Sequence, residues 1–544
     1  MLHYIHIPPY VGLLLFLLML PMALFPQDFN SQGNPAELAA ALVSRMSDEE
    51  ALAQTFMFGW TGTAPSPLIM QWIRERRIGG IKVFGWNVQN LEALAETIGA
   101  MQKASLSGPL KIPLLAATDQ EGGMVRHIKD RTSDSPGNMA IGASGFPEDA
   151  WKAGFYIGRE LAALGINMNF APVVDLATVK GSALLGTRTF SEDPVQTGIL
   201  GMAFMNGLHE SGVIATAKHF PGHGGTALDS HGTLPRIDAD EKILWERELV
   251  PYRMLCKSGL YAVMSGHLAF PRTPAGNESS SLSPWFMKTL LREKIGFKGM
   301  VITDDLLMYG ALSYSGNLAL TARDALMAGN DMILVSTTPA LNSELWTSLL
   351  DQMKTDVIFQ ERVREAAARI LAVKLASLRG EKAVPFIPNV NKVRNSIPDP
   401  EGVVFFQDLA ARSITVIKKG TIPLHNADRV LLAGRERNFF QAGLRAFPGA
   451  VVYNYGEGGN AGTLIELARS ADTIVFCVEN REDVRFLESV RSLNKRTVAL
   501  CTSANSYFDK NTWVDSALDL YSVCEQSFIA GFSFLLGRFG RGSP

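Results

Sequence analysis

The feature that most restricts the fold of this chain is a repeated alternation. Short β-rich apolar segments recur at residues 55–58, 81–84, 113–117, 167–174, 213–217, 261–264, 300–302 and 332–335, and helix-like patterns such as 150–164 and 318–327 lie between them. Strand and helix in strict alternation predict a parallel sheet, because each parallel pairing needs a crossover that returns the chain to the same edge. Eight such units over roughly 300 residues predict an α/β protein built on a (β/α)8 TIM-type barrel. An open doubly wound sheet is the rival, but it seldom runs to eight units. With 47% of 544 residues hydrophobic and 19% charged, the chain has the apolar surface for extensive cores. The barrel is expected over residues 31–380, with a helix opened by the capping box Ser47-Asp48-Glu49-Glu50.

Two other regions stand apart. Residues 381–402 carry Pro385, Pro388, Pro398 and Pro400 and read as a Pro-rich linker. Beyond it, segments 413–417, 430–433, 450–453, 473–477 and 497–500 alternate with helical stretches, predicting a smaller αβ sandwich domain with a mostly parallel sheet over residues 403–544. Its Gly456-Glu457-Gly458-Gly459 cluster lacks the full dinucleotide fingerprint and reads as a glycine turn. At the other end, residues 11–24 are apolar except for Gly12, and Pro21 also interrupts the run, before polar sequence begins at Gln27-Asp28. Such a run suits the core of an export signal, so residues 1–30 are expected to direct export to the periplasm or exterior, or to remain as an uncleaved anchor. Cys256, Cys477, Cys501 and Cys524 lie far apart, mostly in apolar runs, as expected of buried thiols.

Nearly every chemically unusual cluster sits just after one of the eight segments. Thr118-Asp119-Gln120-Glu121-Gly122-Gly123 follows the third, Asp175 the fourth, Lys218-His219 the fifth, Ser265-Gly266-His267 the sixth and Asp304-Asp305 the seventh. In a barrel the C-terminal strand ends converge on one face, so these residues should surround one pocket. A balance of 51 Lys and Arg against 53 Asp and Glu offers no electrostatic footprint for nucleic acid or an anionic membrane. A small or neutral partner is expected.

Four of the nine histidines, His219, His223, His231 and His267, fall within 49 residues. His219 and His223 have HxxxH spacing, and with Asp229 and His231 they offer a coordination set for a metallohydrolase. That spacing works on a helix, and Pro221-Gly222 breaks any helix between them. The acid-base reading starts from Asp229-Ser230-His231, where residues i and i+2 of an extended loop point the same way, so the carboxylate can orient and charge the imidazole. Asp304, at a strand end, supplies a carboxylate able to act as a nucleophile. Asp305 should point away from it, toward a partner such as an Arg or a backbone amide. For His267 the expectation is a satisfied core residue.

Lys218-His219-Phe220-Pro221-Gly222-His223-Gly224 with Asp229-Ser230-His231, together with Thr303-Asp304-Asp305-Leu306 and Asp119-Gln120-Glu121-Gly122-Gly123, resembles glycoside hydrolase family 3, and within it the bacterial β-N-acetylglucosaminidase branch. The resemblance covers roughly residues 45–340 and extends more faintly into the second domain through residues 413–424. It implies that Asp304 is the nucleophile of a covalent glycosyl-enzyme and His231, held by Asp229, the acid/base. It also implies sugar-binding roles for Asp119, Lys218, His219 and, in Gly186-Thr187-Arg188-Thr189-Phe190, Arg188. Members often carry an Arg eight residues after the Asp of the third motif, where this chain has His127 beside Arg126.

The expected reaction is retaining, exo-acting hydrolysis of terminal β-linked N-acetylglucosamine from glycans such as peptidoglycan fragments. Should His231 bind sugar instead, Glu121 is the next source of the proton. If both Lys218 and His219 bind sugar, the strand must twist, and a cis peptide within residues 218–221 would aim both inward. The alternatives are a β-glucosidase-type or phosphorolytic member of the family, a metal-dependent amidohydrolase, and a sugar-binding protein without catalysis. No cofactor or metal is expected, the partner is a small carbohydrate with no nucleic acid, and membrane contact is expected only through the N-terminal segment. The sequence carries no signal for an oligomeric state.

Overall fold

A computed structural model describes residues 27–178, 185–226, 232–425, 428–456, 458–503 and 513–538. The apolar N-terminal run and both Asp229 and His231 lie outside them.

Eight parallel strands form the first unit: β1 (Phe56–Gly59), β2 (Gly80–Lys82), β3 (Leu115–Thr118), β4 (Met168–Asn169), β5 (Ile214–Phe220), β6 (Ala262–Ser265), β7 (Met300–Thr303) and β8 (Ile333–Val335). Each pairs with its neighbours in chain order, and β8 returns to β1 through Phe56 opposite Ile333. A parallel bridge between Ile302 of β7 and Met332 closes the circle. All eight strands thus fall where the alternation places them.

Strand alternation sorts the side chains into two cores. Phe56, Phe58, Ile81, Ala116, Ala215, Val263, Val301 and Ile333 pack outward with the helices. Met57, Leu115, Ala117, Met168, Ile214, Met264, Met300, Ile302 and Leu334 pack together inside the barrel, where flexible methionines fill a narrow interior. This parity fixes what the strand ends present. Lys82 follows outward Ile81, Asp119 lies two residues beyond inward Ala117, Lys218 lies two beyond Thr216 on the Ile214 side, and Asp304 lies two beyond inward Ile302. All four emerge on the inner face at the C-terminal mouth.

The second unit is a six-stranded sheet of β9 (Thr415–Lys418), β10 (Val430–Gly434), β11 (Val451–Asn454), β12 (Thr473–Val478), β13 (Arg496–Cys501) and β14 (Ser516–Asp519), ordered β9-β14-β13-β12-β10-β11. All pairings are parallel except β9 with β14. Alternation again serves two layers, with Leu432, Val475 and Val498 on one face and Leu431, Ile474 and Ala499 on the other. β14 has no counterpart in the sequence pattern.

The Pro-rich segment between the units packs against the barrel along its length. Ile387 and Pro388 lie against Gly99, and Pro388 also against Gly165. A short helix, Val390–Ser396, follows, then helix Pro400–Arg412, whose first turn is capped by Asp399. This second helix joins the units: Phe405 packs on Tyr156 of the barrel helix Pro147–Ala163, Arg412 pairs with Asp149 at 2.6 Å, and the same helix also meets helix Glu525–Leu535 of the second unit. Prolines break regular structure, but the apolar residues around them, Val393, Ile397, Phe405 and Phe406, are all buried anchors.

Candidate active site

The barrel mouth holds a dense ionic cluster centred on Asp119. One carboxylate oxygen accepts from Lys218 Nζ at 2.5 Å and the other from Lys82 Nζ. His127 Nε2 lies 3.4 Å from the same carboxylate. The Gly85 N–H donates to His127 Nδ1 at 3.2 Å, which leaves the ring proton on Nε2, facing Asp119. Burial opposes charge on Asp119, but Lys218 and Lys82 outweigh it and hold the carboxyl well below its usual range. Burial also pulls Lys82 down, and Asp119 only partly restores it.

Behind Asp119 stands a second acid. Glu121 is 1% exposed and bound in a fork by Arg188, with Lys218 at 2.7 Å from Oε1. Despite burial, Arg188 and Lys218 keep it below the ordinary glutamate range. Lys218 therefore bridges two carboxylates, and although burial disfavours its charge, Asp119 and Glu121 push its pKa up. Arg188 is brought in from the loop after β4 by a short turn, Gly186–Arg188, and its backbone oxygen accepts from Asn138 at 2.7 Å.

The fifth strand ends in two cis peptides, Lys218–His219 and Phe220–Pro221, and the side chains of Lys218 and His219 both reach site carboxylates. His219 Nδ1 lies 2.7 Å from Asp175, which also accepts the backbone N–H of His219 at 3.2 Å and that of His223 at 2.7 Å. Asp175 is fully buried, and His219 and His223 overcome the cost of burial to bring it down to about 2. The His223 ring is buried with neither nitrogen hydrogen-bonded among the described residues, and burial lowers its pKa.

Asp304 rises from the end of β7. Its backbone N–H donates to Ser265 and one carboxylate oxygen accepts the N–H of Asp305 at 2.8 Å. Burial disfavours its charge, but His219, His267, the Asp305 N–H and Lys218 together lower its pKa, so it is an anion near neutral pH. Asp305 turns the other way, accepting the N–H groups of Leu307 and Ser336 at 3.1 Å each, and burial raises its pKa. His267 is fully buried, bonded to the Ser281 hydroxyl at 2.7 Å and the Asp305 carbonyl at 3.2 Å, yet it still adds to the field at Asp304.

The structure therefore brings Asp119, Arg188, Lys218, His219 and Asp304 to one mouth. Asp229 and His231 lie outside the described residues. Among the described residues no three His, Cys, Asp or Glu side chains form a metal-binding group. Two contributions escaped the sequence reading. Lys82 sits inside an apolar strand, and its one signal was a charge at the C-terminal end of β2, on the inward parity. Asp175 was placed at the mouth, but nothing in the pattern paired it with His219. Arg126 does not stand in for the family Arg: it turns to Asp134 at 2.7 Å, while His127 takes the place beside Asp119.

Such a site can position a polar ring, hold a carboxylate charged beneath it and stabilise charge that develops there. Comparison with known proteins agrees. Residues 49–373 match the Glycosyl hydrolase family 3 N terminal domain. The chain is 31% identical over 392 residues to Beta-hexosaminidase A of Pseudoalteromonas piscicida, covering 68% of this chain and 64% of that protein. It is 36% identical over 265 residues to the Beta-hexosaminidase of Tolumonas auensis, covering 48% and 76% of the two chains. The solved glycoside hydrolase family 3 β-N-acetylglucosaminidase from Paenibacillus sp. FPU-7 superposes with a TM-score of 0.82 at 26% identity, covering 91% of this chain and 97% of that one. With a match to the family over more than half its length, this chain belongs to glycosyl hydrolase family 3.

Proposed function

We propose that the protein is a glycosidase, a β-N-acetylhexosaminidase that releases terminal β-linked N-acetylglucosamine with retention of configuration. The observation that carries this reading is Asp304: a half-buried carboxylate on the inner face of the barrel mouth, kept ionised beside Lys218 and His219. In the first step an Asp304 oxygen attacks the anomeric carbon as the bond to the leaving oxygen breaks, and the His231 imidazolium, oriented by Asp229, gives that oxygen its proton. In the second, neutral His231 takes a proton from water, whose oxygen attacks the anomeric carbon and frees Asp304. The oxocarbenium-like transition state lies against the Asp304 anion. Asp119, Lys218, Arg188 and His219 are the groups available to hold the sugar hydroxyls and amide.

The orientation of Asp305 favours this route over attack by the substrate's own acetamido group. That route needs a second carboxylate facing the sugar, and Asp305 instead caps the amides of Leu307 and Ser336. The reading extends to cell-wall fragments as substrate and to export of the enzyme by its apolar N-terminal run.

The test is turnover of an aryl N-acetyl-β-glucosaminide by the purified chain, followed by trapping with a slow fluorosugar. A covalent sugar on Asp304, with a loss of several orders of magnitude in D304N, is expected. Labelling of Glu121 or Asp305, or no turnover, would overturn the reading.

A further inference from the structure

Of the eight tryptophans, Trp86 alone is exposed, at 56%. Single exposed apolar residues are ordinary on protein surfaces. This one is built in. It lies in the turn Gly85–Asn87 after β2, with its ring stacked on Phe84 at a centroid separation of 4.2 Å and an interplanar angle of 9°. Its indole N–H donates to the Trp60 carbonyl at 3.0 Å. Buried Asn87 locks the turn: its amide donates to the carbonyls of Trp60 at 2.9 Å and Gly62 at 2.7 Å, while its oxygen accepts the Phe84 N–H at 2.9 Å. One π face of Trp86 is covered, its only donor is used, and the rest of the ring is held open to solvent.

The position of this ring relative to the chemistry is set by its support. Lys82 Nζ, which binds Asp119, lies 4.6 Å from the centre of the Phe84 ring. His127, the other neighbour of Asp119 on this side, meets Phe84 edge-on at 5.4 Å. Phe84 thus stands directly behind the ionic cluster, and Trp86 forms the next layer outward. The Lys82 ammonium beneath the aromatic stack anchors it electrostatically, because the ring faces are negative. The mouth changes character across this edge, from buried charges suited to one polar ring to a flat apolar face suited to the C–H side of another.

We infer that Trp86, backed by Phe84, is a stacking platform for the leaving group: a second sugar ring or an aryl group on the far side of the scissile bond. The inference rests on the glycosidase reading above. Binding there costs little ordering, since Asn87 has already fixed the turn, and it favours substrates whose aglycone offers a flat apolar face.

The experiment compares two glycosides whose leaving oxygens are both alcohols: methyl N-acetyl-β-glucosaminide, which has no ring to stack, and the β-1,4-linked disaccharide of N-acetylglucosamine. Replacing Trp86 by Ala should lower kcat/KM on the disaccharide about tenfold more than on the methyl glycoside, mainly through KM, in keeping with one aromatic contact. W86F, which keeps a π face, should recover most of that difference. Equal losses on both substrates, or a W86F no better than W86A, would overturn the platform while leaving the activity intact. Failure of the unaltered protein to cleave either glycoside would instead overturn the glycosidase reading, and the platform with it.

Discussion

Arg188 grips Glu121 through two parallel hydrogen bonds, Nε to Oε2 at 2.9 Å and Nη2 to Oε1 at 2.8 Å, leaving this acid no proton to give. Lys218 adds a second cation at 2.7 Å, and the balance keeps the carboxyl ionised below its ordinary range. Glu121 therefore cannot serve as the reserve proton donor that its place in the motif suggested. Its work is to fix Arg188 and Lys218. E121Q should weaken sugar binding and lower kcat/KM by a similar factor, on the order of 10–100, whatever the leaving group. A Brønsted series over aryl glycosides measures this, and a loss that deepens with leaving-group pKa would return Glu121 to the proton-donor role.

Replacing His231 should give the opposite pattern. An activated aryl leaving group needs little protonation, so H231A should retain measurable glycosylation there, while an alkyl or sugar leaving group should lose a factor on the order of 10²–10⁴. D229A should lose less and shift the pH profile, because it removes only the partner that orients and charges the ring. If both substrates suffer equally in H231A, the acid/base assignment fails.

How much of this was readable beforehand follows from strand parity. Asp119, Lys218 and Asp304 were legible because each follows an apolar strand by the even spacing that carries the inner face of the barrel to its mouth. Lys82 obeys the same rule but was hidden within the apolar segment 81–84, read as strand alone. The partnership of Asp175 with His219 depends on where the loop after β4 meets the end of β5, a tertiary event without local spacing. In the second domain β14 escaped because Ser516-Ala517-Leu518-Asp519 is neither long nor continuously apolar; its neighbours β9 and β13, not its own composition, make it a strand.

Asp175 ties stability to pH. Folding lowers its pKa from 3.8 to about 2, so the folded state binds fewer protons than the unfolded chain across that interval. The stabilisation is fully present above about pH 4 and is lost as pH falls toward 2, a contribution of about 2 kcal/mol. D175N should flatten this part of the acid-unfolding curve, followed by circular dichroism, and should also impair turnover by releasing His219. An unchanged acid limb in D175N would show that the anion at this position contributes nothing to folding.

Lys374 makes the reverse case at the other end of the barrel. It is fully buried, its Nζ donates to Gln54 Oε1 at 3.0 Å, and burial pushes its pKa from 10.5 down to about 7. Between pH 7 and 10.5 the unfolded chain holds a proton that the folded protein has released, so stability should rise with pH through that window and level off below it. Methionine fits the apolar path of the side chain but strips Gln54 of its donor, at a cost of about 1–3 kcal/mol. That loss offsets much of the relief from burying an ammonium, so the midpoint at pH 7 is a poor discriminator. The slope is the better one. Urea unfolding of K374M across pH 7–10 should lose most of the rise seen in the unaltered protein, and identical slopes in the two would place the proton release elsewhere.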